Sequence, residues 1–186
     1  DIPKNNSDVA ANFVAENSSL TDDDIDIDTV SLTPKLVGGT TSMSRQVLVQ
    51  AQPMIDELVR DGLEKQIMNR IDATALEGSG SGAVPTGIKN ATGVNTKATA
   101  GSSTMTHAES AEVVAAIGAA NIDAGSGAWI VHPNDGATLA ATSKDSGSGT
   151  FVYENGTILG RRVIESTHAS EGTAYYGVFS NFIIGF

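Results

Sequence analysis

The stretch PMIDELVRDGLEKQIMNRIDATALE, residues 53–77, decides the fold of this chain. Its apolar side chains recur at spacings of three and four from Ile55 to Ile71, which is the periodicity of an amphipathic helix. Pro53 stands where a first helical turn tolerates proline, and acidic residues follow it. The pattern predicts a long helix over about 53–77, with a length of ~36 Å. A shorter helix that ends near Gln50 is expected to precede it.

A run of glycines follows the predicted long helix. Gly78, Gly80 and Gly82 lie in the stretch LEGSGSGAVPTGI, residues 76–88. A phosphate-binding loop needs a strand before it and Lys-Ser/Thr after it, whereas here a helix precedes the glycines and Ala-Val-Pro follows them. We therefore expect Gly78 to end the helix in a left-handed C-cap, and the other glycines to let the chain turn away.

Residues 9–33 are expected to form a β-hairpin. The strand-like FVA of residues 13–15 precedes a turn-rich cluster, and DDDIDID, residues 22–28, ends in period-two alternation. This acidic run lacks the glycine and glutamate that a calcium loop carries at its sixth and twelfth positions, so an EF-hand is rejected. The hairpin has few large apolar residues, and we expect it to depend on other surfaces for burial. An acidic strand of this kind is either solvated or docks on a basic neighbour.

The rest of the sequence mixes helices with short strands. Thr106 and Glu109 have the spacing of a capping box ahead of an apolar helical face. A short buried strand is predicted at 129–131, and Pro133 is expected to start another helix. Further strand candidates lie at 151–153, 162–164 and 175–186. The regular βαβ alternation of a parallel sheet is missing, which favours an α+β fold.

Composition excludes several classes of function. Among its 186 residues the chain has 11 Lys and Arg against 22 Asp and Glu, and the net charge of −11 argues against binding nucleic acid through its phosphates. The sequence has no cysteine, so disulfides, thiol nucleophiles and cysteine metal sites are excluded. No apolar run approaches the ~18 residues of a membrane span, and no signal-peptide pattern is present. We expect neither specific nucleic-acid binding nor membrane association.

The sequence carries no recognisable catalytic motif. His107, His132 and His168 are far apart, and neither a His-Glu-x-x-His helix nor a glycine-flanked serine elbow is present. A triad assembled in space stays open, although no paired residues favour it. We therefore expect no enzyme, and no catalytic, cofactor-binding or metal site.

Several short motifs, in order along nearly the whole chain, resemble the major capsid proteins of tailed bacteriophages, which have the Hong Kong 97-like capsid fold. The motifs are DIDIDTVSLTPKL at 24–36, VPTGI at 84–88, WIVHP at 129–133, LGRRVIES at 159–166 and YGVFS at 176–180. Each motif is weak alone, but their shared order makes the resemblance specific.

The resemblance implies a particular division of the chain. It implies an extended β-hairpin arm (E-loop) at 1–38, and a P domain at 39–90 whose spine helix is the long helix over about 53–77. An A domain would follow at 91–178, with a return strand toward the P domain at 179–186. The family's N-terminal arm and the remainder of its P domain would lie outside the sequence, so the chain is expected to be a fragment.

The resemblance also implies a structural function. Copies would self-assemble into hexamers and pentamers of an icosahedral shell around phage or prophage DNA. Assembly would take place in the bacterial cytoplasm, with portal or scaffold proteins as further partners. Two alternatives stay open: an encapsulin-type nanocompartment shell, and an extracellular adhesin or glycan-binding β-rich module.

Within that scheme, contacts between subunits are expected at Asp24, Asp26, Asp28, Arg60, Arg70 and Tyr153. The three aspartates would dock near a neighbour's Arg60 or Arg70, and Tyr153 would lie in a loop at the tip of the A domain. Gly78, Gly80 and Gly82 would form the hinge between the P and A domains.

Overall fold

The computed structural model describes residues 2–7, 13–16, 19, 25–50, 54–99, 104–147 and 149–183. The described residues up to Pro34 form one compact unit, and Lys35–Ile183 form a second. Several of the predicted features lie outside the described residues. These are Asp24 with the rest of the 20–24 segment, Pro53, and the end of the chain from 184 onward.

The first unit contains a two-stranded antiparallel hairpin. Strand β1 (Ile2–Ser7) pairs with β2 (Asp26–Val30), and Lys4 lies directly opposite Asp28. The hairpin and its acidic strand were predicted, but the first strand was placed wrongly, because residues 13–15 lie outside any strand. The residues of β1 are mostly polar, so neither period-two alternation nor β-propensity marks them, and only the backbone pairing with β2 makes them a strand.

Two helices open the second unit. Helix α1 (Arg45–Gln50) and the 24-residue α2 (Met54–Glu77) confirm both helical predictions. Of the α2 side chains only Leu76, near the C-terminal end, is buried. The predicted apolar stripe is half-buried at Ile55, Val59, Leu63, Ile67 and Ile71. Most of the length of α2 therefore packs only partly within the chain.

A small helix-covered sheet makes up the rest of the second unit. Its elements are α3 (His107–Ala119), β3 (Ala128–Val131), α4 (Pro133–Ala141), β4 (Tyr153–Glu154), β5 (Thr157–Ile158), β6 (Arg161–Glu165) and β7 (Tyr175–Gly177). The strand order is β4-β5-β6-β3-β7, with β3 parallel to β6 and the other pairs antiparallel. Helices combined with a mixed sheet give the α+β fold that the sequence predicted.

The core of the sheet forms around Trp129, which is fully buried on β3. Its ring lies 4.6 Å from that of Tyr176 on the neighbouring strand β7. Val152, Ile158 and Leu139 complete the buried cluster. Both the buried strand at 129–131 and the helix from Pro133 are thus confirmed.

The capping box at the start of α3 is also confirmed. The Thr106 hydroxyl accepts from the Glu109 N–H, and the Glu109 carboxylate accepts from the Thr106 N–H at 2.8 Å. Together these bonds satisfy two backbone donors that a helix start leaves open.

The last strand is shorter than predicted. β7 ends at Gly177, and Phe179–Asn181 forms a 3-10 turn closed by the Phe182 N–H on the Phe179 carbonyl. A return strand was expected over 179–186. The structure describes this segment as far as Ile183, and there it begins with a turn.

Candidate functional site

The histidines occupy three different elements of the second unit. His107 is the first residue of α3, and His132 caps α4 by accepting the Asn134 N–H on its Nδ1 atom at 3.2 Å. His168 lies in the loop 166–174 and lines a cavity beside the end of α2. Among the described residues no group of three or more acidic or His side chains is arranged to hold a metal ion. The same residues include no helix long and apolar enough to cross a membrane.

The glycine run after α2 forms a closed loop. The Gly87 N–H donates to the Gly78 carbonyl at 2.9 Å, and the Gly80 N–H donates to the Pro85 carbonyl at 3.3 Å. Gly80 and Gly82 have φ angles of +71° and +60°, which favour glycine. The loop therefore turns back on itself directly after the helix.

The predicted left-handed C-cap at Gly78 is wrong, because its φ does not lie in the left-handed region. Gly78 is needed for close packing instead. A Cβ atom there would lie 2.2 Å from the Pro85 carbonyl oxygen and 2.6 Å from that of Thr74. The Asn90 side chain donates to the Gly78 carbonyl at 2.8 Å and so caps the end of the helix.

The last residue of α2, Glu77, connects the helix to the sheet. Its carboxylate accepts the Ser170 N–H at 2.9 Å and also the hydroxyls of Ser170 and Tyr175. The ammonium of Lys89 lies 3.4 Å from the same carboxylate. We call Glu77, Lys89, Ser170 and Tyr175 the helix–sheet joint. It brings together residues 93 and 98 positions apart in the sequence.

The electrostatics of the joint favour an ionised Glu77. Burial raises the pKa of this carboxyl, but the hydrogen bonds from Ser170 and Tyr175 and the charge of Lys89 outweigh burial and lower the pKa to about 2. Burial and the hydrogen bond to Glu77 raise the pKa of the Tyr175 hydroxyl. The joint is therefore a carboxylate held by neutral donors and one cation.

The loop 166–174, which supplies Ser170, is itself attached to the sheet and to α4. The Ser166 N–H donates to the Val131 carbonyl at the end of β3, at 2.9 Å. The Gly172 N–H donates to the Asp135 carboxylate at 2.8 Å, and the Asn134 side chain donates to Glu171. Ala169 is buried between these attachments. The loop thus holds Ser170 in a fixed position on the sheet side.

The hairpin of the first unit has an exposed surface. Every side chain of β2 is exposed, including Ile27 at 65%. Asp26 and Asp28 of the predicted contact set lie on this strand, whereas Asp24 lies outside the described residues. Asp28 accepts the Thr29 N–H at 2.7 Å. Docking of this acidic strand on a basic neighbour stays a prediction.

The structure locates the other predicted contact residues on the second unit. Arg60 and Arg70 are exposed on α2, and neither has an ion-pair partner within the described part of the chain. Tyr153 lies on β4 beside the core, not in an open loop, and its hydroxyl donates to Glu165 at 2.9 Å. The Tyr153 hydroxyl therefore makes a contact within the chain.

Sequence reasoning missed the helix–sheet joint. A signal for it existed, since Glu77 ends a helix whose last turn has no basic residue. A carboxylate at that position opposes the helix macrodipole, which favours cations at a C-terminus. Nothing in the sequence, however, identified Ser170 and Tyr175 as the donors that offset this cost.

The sequence is similar to known phage proteins. The model of the phage capsid family matches residues 1–186, the whole chain. A curated relative, described as the major capsid protein of Halomonas phage phiHAP-1, is 25% identical over 190 residues. The alignment covers 99% of this chain and 30% of the relative, so the chain spans about a third of the length of the protein it matches.

Proposed function

The chain belongs to the phage capsid family, and on this premise we propose that it is part of a major capsid protein whose copies assemble into hexamers and pentamers of an icosahedral shell. The shell would enclose phage or prophage DNA in the virion. The family match along all 186 residues carries this proposal, and the name of the phage relative supports it. The role is structural, and we propose no enzymatic activity and no cofactor.

The subdivision of the chain is part of the proposal. Residues 1–38 would be the extended arm, 39–90 the P domain with α2 as its spine, and 91–178 the A domain of a Hong Kong 97-like subunit. The glycines at 78, 80 and 82 would lie where the P and A domains meet. Portal or scaffold proteins would be further partners, and assembly would take place in the bacterial cytoplasm.

Exposed surfaces of both units support assembly as the function. Every side chain of β2 is exposed, and a two-stranded hairpin is marginal by itself in water. Leu58 on α2 is 72% exposed, and the apolar stripe of the helix is only half-buried. Contacts with further copies would cover such surfaces.

Charge complementarity supports a particular contact between copies. The arm presents Asp26 and Asp28, while α2 presents Arg60 and Arg70 on its exposed side. We propose that the acidic strand of one copy docks near these arginines on the α2 of its neighbour. The comparisons support neither the encapsulin nor the adhesin alternative.

Electron microscopy of the protein in its full length tests the proposal. We expect closed icosahedral shells from the unaltered sequence. Changing Asp24, Asp26 and Asp28 together to Asn removes three negative charges from the arm, and the yield of shells should fall while the subunit stays folded by circular dichroism.

A matched control keeps the charge. The three aspartates changed to Glu retain an acidic strand, and this variant should recover shell formation. An unaltered shell yield from the Asn variant would overturn the proposed arm contact. Absence of shells from the unaltered protein, together with binding to cell-surface glycans, would overturn the capsid function.

A further inference from the structure

The end of α2 contains a local conflict that its surroundings resolve. Glu77 places a negative charge at the helix C-terminus, where the macrodipole is already negative, and the last turn has no Lys, Arg or His. A cation at this position would stabilise an isolated helix, whereas an anion destabilises it. The acid is therefore better explained by its tertiary contacts than by the stability of the helix.

Those contacts connect α2 to the sheet domain. Glu77 is the one α2 side chain, in the described part of the chain, that hydrogen-bonds to the loop 166–174 or to β7. Both carboxylate oxygens are used, one for the Ser170 hydroxyl and the other for the Ser170 N–H and Tyr175. Hydrogen bonds to a charged group are shorter and stronger than neutral ones, and three of them meet at this carboxylate, so the position of the helix end is well defined.

The two sides of the contact are rigid for different reasons. On the helix side, Gly78 and Gly87 pack so closely that a Cβ on Gly87 would lie 2.4 Å from the Gly78 nitrogen. On the sheet side, the loop 166–174 is attached to β3 through Ser166 and to α4 through Gly172. Glu77 is thus the link between two well-supported parts.

We propose that Glu77, held by Ser170 and Tyr175, is a positioning residue that fixes the direction of α2 relative to the five-stranded sheet. Breaking the joint should let the helix vary its direction while the helix and the sheet each stay folded. Lys89 adds a charge contact from the turn at Ile88–Asn90, so it positions the carboxylate without connecting it to the sheet.

A distance measurement tests the direction of the helix. Because this sequence contains no cysteine, Gln66→Cys on α2 and Arg162→Cys on β6, both exposed, provide a specific pair of spin-label sites. In the protein with an intact joint, the distance distribution from pulsed electron paramagnetic resonance should be narrow. Glu77→Gln should broaden it, because the amide cannot accept the three hydrogen bonds as an anion does.

Glu64→Gln is the matched control, since Glu64 is an exposed acid on the same helix. It should leave the distribution narrow. If Glu77→Gln prevents folding, Tyr175→Phe removes one donor and keeps the aromatic ring, and it should broaden the distribution to a smaller extent. A distribution that stays narrow in every folded joint variant would overturn the proposal.

Hydrogen exchange separates positioning from general stability. The Ser170 N–H donates to Glu77, so in Glu77→Gln its exchange should accelerate at least tenfold more than the exchange of the β3 and β6 amides. A uniform acceleration across helix and sheet would mean that Glu77 only stabilises the fold, and would overturn the proposal.

The consequence for a shell rests on the proposed function. If the direction of α2 sets the angle between neighbouring subunits, Glu77→Gln shells should have a wider range of diameters than Glu64→Gln shells. One outcome would support the joint and overturn the capsid function: a broad distance distribution in Glu77→Gln, together with no shells from the unaltered protein. Normal shells with unchanged distances would support the capsid function and overturn the joint.

Discussion

The hairpin β1–β2 and the five-stranded sheet are both built from short strands, yet they bury very different amounts of their side chains. Every side chain of β2 is exposed, whereas Trp129 on β3 is fully buried beneath Leu139, Val152 and Ile158. Backbone pairing is thus present in both, but only the sheet has the apolar layers that stabilise a fold in water. We therefore expect the sheet to be stable within one copy of the chain, and the hairpin to depend on a further surface for burial.

The largest effect on subunit stability should come from Trp129→Ala. The substitution removes a fully buried aromatic side chain and its ring contact with Tyr176. We expect the free energy of unfolding to fall by about 3–5 kcal/mol. Urea unfolding followed by circular dichroism measures this value, and a loss below about 1 kcal/mol would contradict the assignment of the core.

The loop after α2 should show the next effect in size. Gly78→Ala places a Cβ 2.2 Å from a backbone oxygen, so the backbone must shift. We expect the free energy of unfolding, measured by urea unfolding, to fall by about 2–3 kcal/mol. Gly82→Ala is the matched control, because open space surrounds Gly82 and only its φ of +60° opposes a side chain. That cost should be about 1 kcal/mol. Equal losses in the two variants would show that close packing is not what requires Gly78.

These two variants also show what a sequence can and cannot predict. Local signals identified α2, the capping box at Thr106 and the buried strand around Trp129, because periodicity and cap chemistry act within a few residues. Gly78 was recognised as the end of the helix but for the wrong reason. A left-handed turn and a close backbone approach both require glycine, and only the position of Pro85 distinguishes them.

Two other features depend on contacts distant in sequence. Strand β1 has a polar composition and becomes a strand by pairing with β2, so its own residues could not locate it. The helix–sheet joint depends on Ser170 and Tyr175, which are 93 and 98 residues from Glu77. The misfit of Glu77 with the helix macrodipole indicated that a partner exists, but not which one.

The joint predicts a pH dependence of stability. The folded-state pKa of Glu77, about 2, lies below the ordinary value of 4.5, so its stabilising effect is complete above pH 4.5 and is lost as the pH falls toward 2. Glu77→Gln should remove this acid-sensitive contribution, which we expect to lower the free energy of unfolding by about 1–2 kcal/mol at neutral pH. Burial raises the pKa of this carboxyl, whereas the hydrogen bonds from Ser170 and Tyr175 and the charge of Lys89 lower it; Arg70 and His168 line the adjacent cavity.

Urea unfolding at pH 7, 4 and 2.5 measures that dependence. The difference between the unaltered protein and Glu77→Gln should shrink as the pH falls, whereas Glu64→Gln should follow the unaltered protein throughout. A difference that stays constant with pH would contradict an ionised, donor-held Glu77.

The smallest effect on the subunit should come from the arm. Ile27→Ser changes a side chain that is already 65% exposed, so the free energy of unfolding should fall by less than about 0.5 kcal/mol. Ile158→Ser, at a fully buried isoleucine of β5, should cost several times more by the same measurement. If the hairpin is covered only on assembly, Ile27→Ser should nevertheless lower shell yield strongly, because the interface then contains a polar group in place of an apolar one.

That last pair of variants separates the two sources of stability in this chain. Ile158 is buried by folding, so a defect there appears in the isolated subunit and is carried into every assembly. Ile27 is left exposed by folding, so a defect there becomes measurable only when copies meet. Sedimentation velocity of the assembled protein, set beside urea unfolding of the subunit, distinguishes the cases. A shell yield unchanged by Ile27→Ser would mean that β2 stays exposed in the assembly, and the arm would then need a role other than docking.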